Sequence, residues 1–189
     1  MLKKKKGNTV SNLSSTRALR DVTEASGGKY YASAVGEVNV VTEMKSVKAV
    51  VGGEGNGGII VPDFHYGRDA LIGIALFLTH LAKSGRKSSA LKATYPAYFI
   101  SKNKIELTPE LNVDEVLQQI QKKYQTEKIN TIDGVKIDFE QSREWIHLRK
   151  SNTEPIIRIY AESQDEEKAN ALAEKIINDI RMIIQSVAP

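Results

Sequence analysis

The sequence predicts two domains of different classes: a mixed, mainly parallel α/β domain over residues 1–97 and an α+β domain over residues 98–189. Three observations lead to this prediction. Up to residue 62, short apolar segments alternate with helical ones, as in parallel sheets. Tyr95-Pro96 then interrupts the pattern. Beyond it, strand patterns follow one another as hairpins between two amphipathic helices, which predicts an antiparallel sheet covered by two helices.

In the first domain, strands are expected at 7–13, 30–35, 49–51 and 59–62, and helices after residue 15, at 38–44 and at 69–83, with a brief turn or helix at 89–94. Either Ser15 or Thr16 is a candidate cap for the first helix. The helix at 69–83 is apolar nearly all round, so it is expected to be buried between layers. Ser84-Gly85 is a typical helix end.

In the second domain, a strand is expected at 98–107 and a hairpin at 129–139, turning at Asp133-Gly134. Asn112, with Glu115 three residues on, predicts a helix start. Ser163 with Glu166 predicts the start of the last helix. The helical apolar positions are Val116, Ile120 and Tyr124 in the first of these helices and Ala169, Leu172, Ile176, Ile180, Ile183 and Val187 in the second.

Composition excludes several classes of function. At 189 residues and 41% hydrophobic, the chain can bury a core. No apolar run approaches the roughly 18 residues that span a bilayer, so no membrane partner is expected. The chain has no cysteine, which excludes disulfides and thiolate metal sites and favours a cytoplasmic location. The three histidines lack metal-ligand spacing, so no metal site is predicted in this chain.

The net charge of +4 owes much to four lysines at positions 3–6. A solvated tail is the favoured interpretation of this run, because no basic patch interleaved with stacking aromatics accompanies it. Nucleic acid is therefore not an expected partner. An α+β nucleic-acid-binding protein is the least favoured alternative.

One stretch near the C-terminus, RKSNTEPIIR at 149–158, combines guanidinium groups with short polar side chains. A phosphate monoester needs several convergent donors, and arginine offers a planar fork of matching geometry. A strand, a tight loop and a second strand would bring Arg149 and Arg158 to the same mouth. Ser151, Asn152 and Thr153 would add donors from the loop. Surface arginines around an ordinary turn are the alternative.

A second stretch, GGEGNGG at 52–58, has five glycines in seven positions. Glycine lets the backbone approach a ligand closely, and Glu54 and Asn56 could bind sugar hydroxyls. The loop lacks the Gly-Lys-Ser/Thr ending of a nucleotide-binding P-loop, and a strand rather than a helix follows it. A flexible hairpin tip is the alternative.

Both stretches resemble one family. The pattern RxSNTEPxxR is similar to the phosphate-binding loop in the fourth domain of the phosphohexomutases, the α-D-phosphosugar mutase superfamily. GGEGNGG, a strand and then Gly67-Arg68-Asp69-Ala70 resemble the sugar loop and helix of the third domain, most of all in phosphoglucosamine mutases and phosphomannomutases. Many members have Ser and His where this chain has Asn56 and Gly58. Either His65 or Arg68 is a candidate substitute for that histidine.

The resemblance implies an isomerase of carbohydrate metabolism. Such enzymes are phosphoproteins that interconvert hexose 6-phosphate and hexose 1-phosphate through a phosphoserine and a hexose 1,6-bisphosphate intermediate. Glucosamine or mannose phosphate is the expected substrate. The chain contains no segment like the family's phosphoserine loop or its three-aspartate magnesium loop. We therefore expect a C-terminal fragment with an incomplete third domain, which contains no catalytic residue and whose N-terminal domains would supply the phosphoserine and Mg²⁺.

In that fragment, the resemblance implies that Arg149, Ser151, Asn152, Thr153 and Arg158 hold phosphate and that Glu54 and Asn56 hold the sugar. The alternative is a standalone sugar-phosphate-binding module without catalysis.

Overall fold

The computed structural model describes residues 2, 5–107, 112–151 and 154–187, and the chain divides into two compact units, residues 1–97 and 98–189. The elements of the first unit are β1 (Thr9–Asn12), α1 (Ala18–Ala25), β2 (Tyr30–Ser33), α2 (Glu37–Ser46), β3 (Val51–Gly53), β4 (Ile59–Ile60), α3 (Ala70–Ser84) and α4 (Ser88–Lys92). Those of the second are β5 (Phe99–Glu106), α5 (Val113–Lys123), β6 (Lys128–Asn130), β7 (Val135–Phe139), β8 (Glu144–Lys150), β9 (Ile156–Ser163) and α6 (Glu166–Val187). None of the helices in the described ranges is both long and apolar enough to span a bilayer.

The first unit contains a four-stranded sheet in the order β2-β1-β3-β4. β1 runs parallel to β2 and to β3, whereas β4 is antiparallel to β3. The predicted mixed, mainly parallel sheet is thus confirmed. Its apolar core is formed by Val10, Val40, Met44, Ala49 and Ile60.

The strand order of this sheet reverses at β1, because the chain moves from β1 to β2 on one side and then to β3 on the other. β1 ends at Asn12 and β3 ends at Gly53, so both strands release the chain at the same edge. In open α/β sheets, ligands bind outside the carboxyl ends of the strands at such a reversal. The glycine-rich loop begins at this edge.

Helix α3 begins and ends as the sequence predicts. The Asp69 carboxylate accepts a hydrogen bond from the Ile72 N–H at 3.0 Å, and Gly85 closes the helix in the left-handed conformation. The predicted burial of this helix is wrong: Leu71 is 79% exposed and Leu78 is 54% exposed. An apolar helix is buried only where a second layer covers it, and the described residues place no such layer on this side of α3.

The second unit contains a five-stranded antiparallel sheet in the order β5-β9-β8-β7-β6. Helices α5 and α6 pack on it, which confirms the predicted α+β arrangement. Side chains alternate along β8, so Ile146 and Leu148 lie in the core while Arg149 lies on the opposite face. The helices contribute Val116, Leu117, Ile120, Tyr124, Ala173, Ile176 and Ile180 to this core.

Of the two helix starts predicted in this unit, the structure confirms the first and contradicts the second. The Asn112 side chain caps α5 as predicted, accepting from the N–H of Asp114 at 3.1 Å. Ser163 does not start α6. It is the last residue of β9, where it pairs with β5 and donates a hydrogen bond to Glu144. Asp165 takes the capping role, with its carboxylate accepting from the Lys168 N–H at 2.8 Å.

Candidate functional site

The predicted phosphate-binding residues lie on the hairpin formed by β8 and β9. Arg149 and Arg158 are directly opposite each other in the register of this antiparallel pair, so their side chains leave the same face of the sheet. The Ser151 N–H donates to the Ile156 carbonyl at 3.0 Å, which closes the base of the loop, and Ser151 is buried. Asn152 and Thr153 lie outside the described residues.

Each arginine has a carboxylate beside it. The Nε–H of Arg149 donates to Asp133 Oδ1 at 2.9 Å, and Nη2 of Arg158 lies 3.5 Å from Glu154 Oε2. Like charges directly opposite on neighbouring strands destabilise a sheet, so these carboxylates offset part of the repulsion. Arg149 retains its terminal N–H groups on a side chain that is 29% exposed.

Asp133 is held at this position by the tight turn between β6 and β7. The next residue, Gly134, has φ +77°, and a Cβ there would lie 2.1 Å from the Leu148 carbonyl oxygen, so only glycine allows the turn to approach β8 so closely. The Nε2–H of His147 donates to the Asp133 carbonyl at 2.7 Å. Burial lowers the pKa of His147 to about 4, so the imidazole is neutral near pH 7.

The glycine-rich loop forms a tight hairpin between β3 and β4. The Glu54 N–H donates to the Gly58 carbonyl at 2.9 Å, and the Gly57 N–H donates to the Glu54 carbonyl at 3.1 Å. A Cβ on Gly53, whose φ is +159°, would lie 2.0 Å from the Gly58 carbonyl oxygen. The backbone of this loop is therefore that of a hairpin tip. Whether the loop can also bind a ligand depends on its side chains.

Glu54 points inward and ties three segments together. Its Oε1 accepts from Asn12 Nδ2 at 2.9 Å and from the Gly36 N–H at 3.2 Å. Its Oε2 lies 3.8 Å from Nη1 of Arg68, and only 6% of the side chain is exposed. The sugar-binding role of Glu54 stays a prediction, and one of its two oxygens is already occupied by bonds that fix the end of β1.

Asn56 is exposed at the tip of the loop, where its Oδ1 accepts from the Gly58 N–H at 3.2 Å. It lines an open pocket of about 470 Å³ together with Glu37, Gly57, Gly58, Arg68 and Ala70. All of these residues belong to the first unit. This pocket is the place where a small polar ligand could reach the loop.

Of the two candidate substitutes for the missing histidine, Arg68 is the one beside Gly58. A Cβ built on Gly58 would lie 2.5 Å from the Cδ of Arg68. Two bonds to Glu37 hold Arg68: its Nε–H donates at 2.8 Å and its backbone N–H at 3.0 Å. These bonds lower the pKa of the Glu37 carboxyl. His65 instead contacts the helix-capping Asp69, with Nε2 3.1 Å from Oδ2.

Sequence reasoning missed Glu37 and Asp133 as partners of the arginines. Glu37 lies 31 residues before Arg68, and Asp133 lies 16 before Arg149, so neither pair falls within a helical or hairpin spacing. Asp133 had a local signal, the Asp-Gly turn, but that signal predicts only the hairpin.

Within the described residues, no group of three or more His, Cys, Asp or Glu side chains is placed to hold a metal ion.

Comparison with known proteins gives consistent matches over both units. The family model described as phosphoglucomutase/phosphomannomutase, alpha/beta/alpha domain III, matches residues 1–98, and the model of the C-terminal domain matches residues 104–179. The chain is 39% identical over 156 residues to a phosphoglucosamine/phosphogalactosamine mutase of Sulfurisphaera tokodaii, covering 80% of this chain and 32% of that protein. It is 37% identical over 170 residues to a phosphoglucomutase/phosphomannomutase of Thermococcus kodakarensis, covering 89% and 36%.

A solved structure has the same fold. A phosphoglucomutase/phosphomannomutase family protein of Burkholderia thailandensis superposes with a TM-score of 0.74 at 21% identity, covering 99% of this chain and 39% of that one. The chain thus spans about a third of the length of the curated relatives just named. With two adjacent family models matched in order along almost its whole length, the chain belongs to the phosphoglucomutase/phosphomannomutase family, the phosphohexomutases.

Proposed function

We propose that this chain holds the substrate in a phosphohexomutase reaction that interconverts hexose 6-phosphate and hexose 1-phosphate. The observation that supports this most strongly is the direct pairing of Arg149 with Arg158 at one end of an antiparallel hairpin. Two facing guanidinium groups lower the stability of a sheet, and Asp133 and Glu154 offset only part of their repulsion, so a further anion bound between them would be stabilising. A phosphate monoester, with close to two negative charges and three acceptor oxygens, matches such a pair.

The proposed roles follow from the placement of each group. Arg149 and Arg158 would bind the phosphate that is not being transferred, with Ser151, Asn152 and Thr153 contributing from the loop. Asn56 and the second oxygen of Glu54 would bind ring hydroxyls. These contacts orient the sugar and contribute binding energy that the reacting end uses, but they break no bond.

The chemistry itself is proposed to lie outside the residues described here. A phosphoserine would give its phosphoryl group to the sugar phosphate, which forms a hexose 1,6-bisphosphate. The phosphoryl group on the other end of the bisphosphate would then return to the serine. Mg²⁺ would be held by the family's three-aspartate loop, to which no segment of this chain corresponds. Glucosamine or mannose phosphate is the proposed substrate, in line with the names of the relatives. A cytoplasmic location remains part of the proposal.

Titration calorimetry of the 189-residue chain tests the binding part directly. Glucosamine 6-phosphate, mannose 6-phosphate and glucose 6-phosphate should each bind more tightly than inorganic phosphate, with no mutase turnover by this chain alone. Binding of none of them contradicts the proposal. Turnover by the chain contradicts the placement of the chemistry elsewhere.

The alternative of a binding module without catalysis predicts the same titrations. The two are distinguished by the gene: a reading frame that continues upstream of Met1 into serine and aspartate loops favours the mutase.

A further inference from the structure

The strongest unassigned feature is Arg68, which immediately precedes Asp69, the capping residue of α3, and lies beside the glycine-rich loop. Its Cδ and Cγ would be 2.5 Å and 3.0 Å from a Cβ at Gly58, so the arginine stem fills the space that a side chain at position 58 would need. Gly58 has no unusual φ that would itself require glycine. The glycine at 58 is therefore explained by its neighbour rather than by its own backbone.

Glu37 holds Arg68 in this place with both of its carboxylate oxygens. Oε1 accepts the backbone N–H at 3.0 Å and Oε2 accepts the Nε–H at 2.8 Å. An exposed arginine usually loses rotamer freedom when it binds a ligand, and that loss costs affinity. Because Glu37 already fixes the backbone and the Nε of Arg68, much of this loss occurs on folding instead of on binding.

The outer end of Arg68 is placed to meet a ligand. The side chain is 49% exposed, and it lines the pocket of about 470 Å³ that also contains Asn56. Its Nη1 lies 3.8 Å from Glu54 Oε2, too far for a well-formed hydrogen bond. A guanidinium has five N–H donors, and Glu37 takes the one on Nε. The terminal donors can therefore reach oxygen atoms of a molecule in the pocket.

We propose that Arg68 is a sugar-contacting residue of this site, donating its terminal N–H groups to hydroxyl oxygens of the bound hexose, and that Gly58 is required so that Arg68 can take this position. This inference rests on the proposed function. Arg68 would add a cationic donor beside the loop that contains Glu54 and Asn56. Glu37 would be the residue that positions this donor.

The test compares the sugar end with the phosphate end of the ligand. Affinities for glucosamine 6-phosphate and for inorganic phosphate are measured by calorimetry on the 189-residue chain and on Arg68→Ala, Gly58→Ala and the double variant. Arg86→Ala is the matched control, since Arg86 is an exposed arginine of the same unit outside the pocket. Thermal unfolding of each variant verifies that it is folded.

We expect Arg68→Ala to weaken binding of the hexose phosphate by about tenfold, the lower end for a hydrogen bond from a charged donor because the side chain is 49% exposed, while binding of inorganic phosphate is unchanged. Gly58→Ala keeps the arginine but displaces it, so it should give a similar loss. The double variant should be no weaker than Arg68→Ala alone, because the added methyl group then meets only Asn56 Oδ1, at an ordinary contact distance of 3.4 Å.

Four results would overturn the assignment. If Arg68→Ala binds hexose phosphate as tightly as the unmodified chain, Arg68 does not contact the sugar, and the proposed function is unaffected. If Arg68→Ala loses affinity equally for both ligands, the effect lies at the phosphate end or in the fold, and the proposed function is again unaffected. If Arg68→Ala does not fold, Gly58→Ala alone decides, and unchanged affinity in it contradicts the inference. If the unmodified chain binds hexose phosphate no better than inorganic phosphate, the proposed function fails and this inference fails with it.

Discussion

Replacing Arg149 with alanine removes one of the two guanidinium groups that face each other across β8 and β9. The variant loses the terminal donors proposed to bind phosphate, along with the bond from Nε to Asp133 at 2.9 Å. A hydrogen bond to a charged group contributes about 1.5–3 kcal/mol. Because the side chain is 29% exposed and partly screened by solvent, we take the lower part of that range, about 1.5–2 kcal/mol. The dissociation constant for a hexose phosphate should rise about tenfold to thirtyfold.

Titration calorimetry with glucosamine 6-phosphate at low salt measures this change, since added salt screens the same contacts. Lys128→Ala is the control: it removes one positive charge from the same unit, at a side chain that is 63% exposed and pairs with Glu140 at 3.2 Å. That variant should bind like the unmodified chain. The reasoning is refuted if Arg149→Ala keeps its affinity, or if Lys128→Ala loses as much, because net charge alone would then explain the binding.

Three further predictions concern stability, each measured by urea unfolding. Burial lowers the pKa of His147 to about 4, so as the pH falls the unfolded chain takes up a proton at this residue before the folded chain does. The free energy of unfolding should therefore drop by up to about 3 kcal/mol between pH 6.5 and pH 4. In His147→Gln this contribution to the pH dependence should be lost. Leu71→Gln, at a site 79% exposed, should change stability by under about 0.5 kcal/mol, whereas Ile60→Ala in the core should cost about 2–5 kcal/mol. Gly134→Ala should destabilise the fold more than Gly27→Ala, because both have positive φ but only the first would clash with backbone; equal costs would contradict that assignment.

Sequence patterns correctly predicted the features that depend on local periodicity, such as which face of a helix or strand is buried. Val116, Ile120 and Tyr124 are spaced for one helix face, and all three are buried against the sheet. The strand alternation around Arg149 and Arg158 likewise predicted that they lie at one mouth, since a hairpin of that length leaves few alternative registers.

The features that the sequence did not reveal have a common physical cause, which is that the burial and pairing of a side chain depend on what lies opposite it. The apolar sequence of α3 correctly predicted a helix, but the exposure of Leu71 and Leu78 depends on whether another layer covers them. The sugar-binding role of Glu54 stays a prediction, but the sequence did not show that Oε1 of Glu54 accepts hydrogen bonds from Asn12 and Gly36. No pattern within the loop could show those two donors, because they arrive from the ends of other elements.

Arg149 and Arg68 belong to different units and yet are held in the same way. In each case a carboxylate of the same unit, Asp133 or Glu37, accepts the Nε–H at 2.8–2.9 Å. The Nε–H is the donor nearest the stem, so bonding it fixes the plane of the guanidinium and leaves the terminal fork for a ligand. Lysine would serve less well at either position, because its ammonium group has no plane that a bond near the stem could orient toward the ligand. The carboxylate beside each arginine is therefore better understood as an orienting group than as a competitor of the ligand.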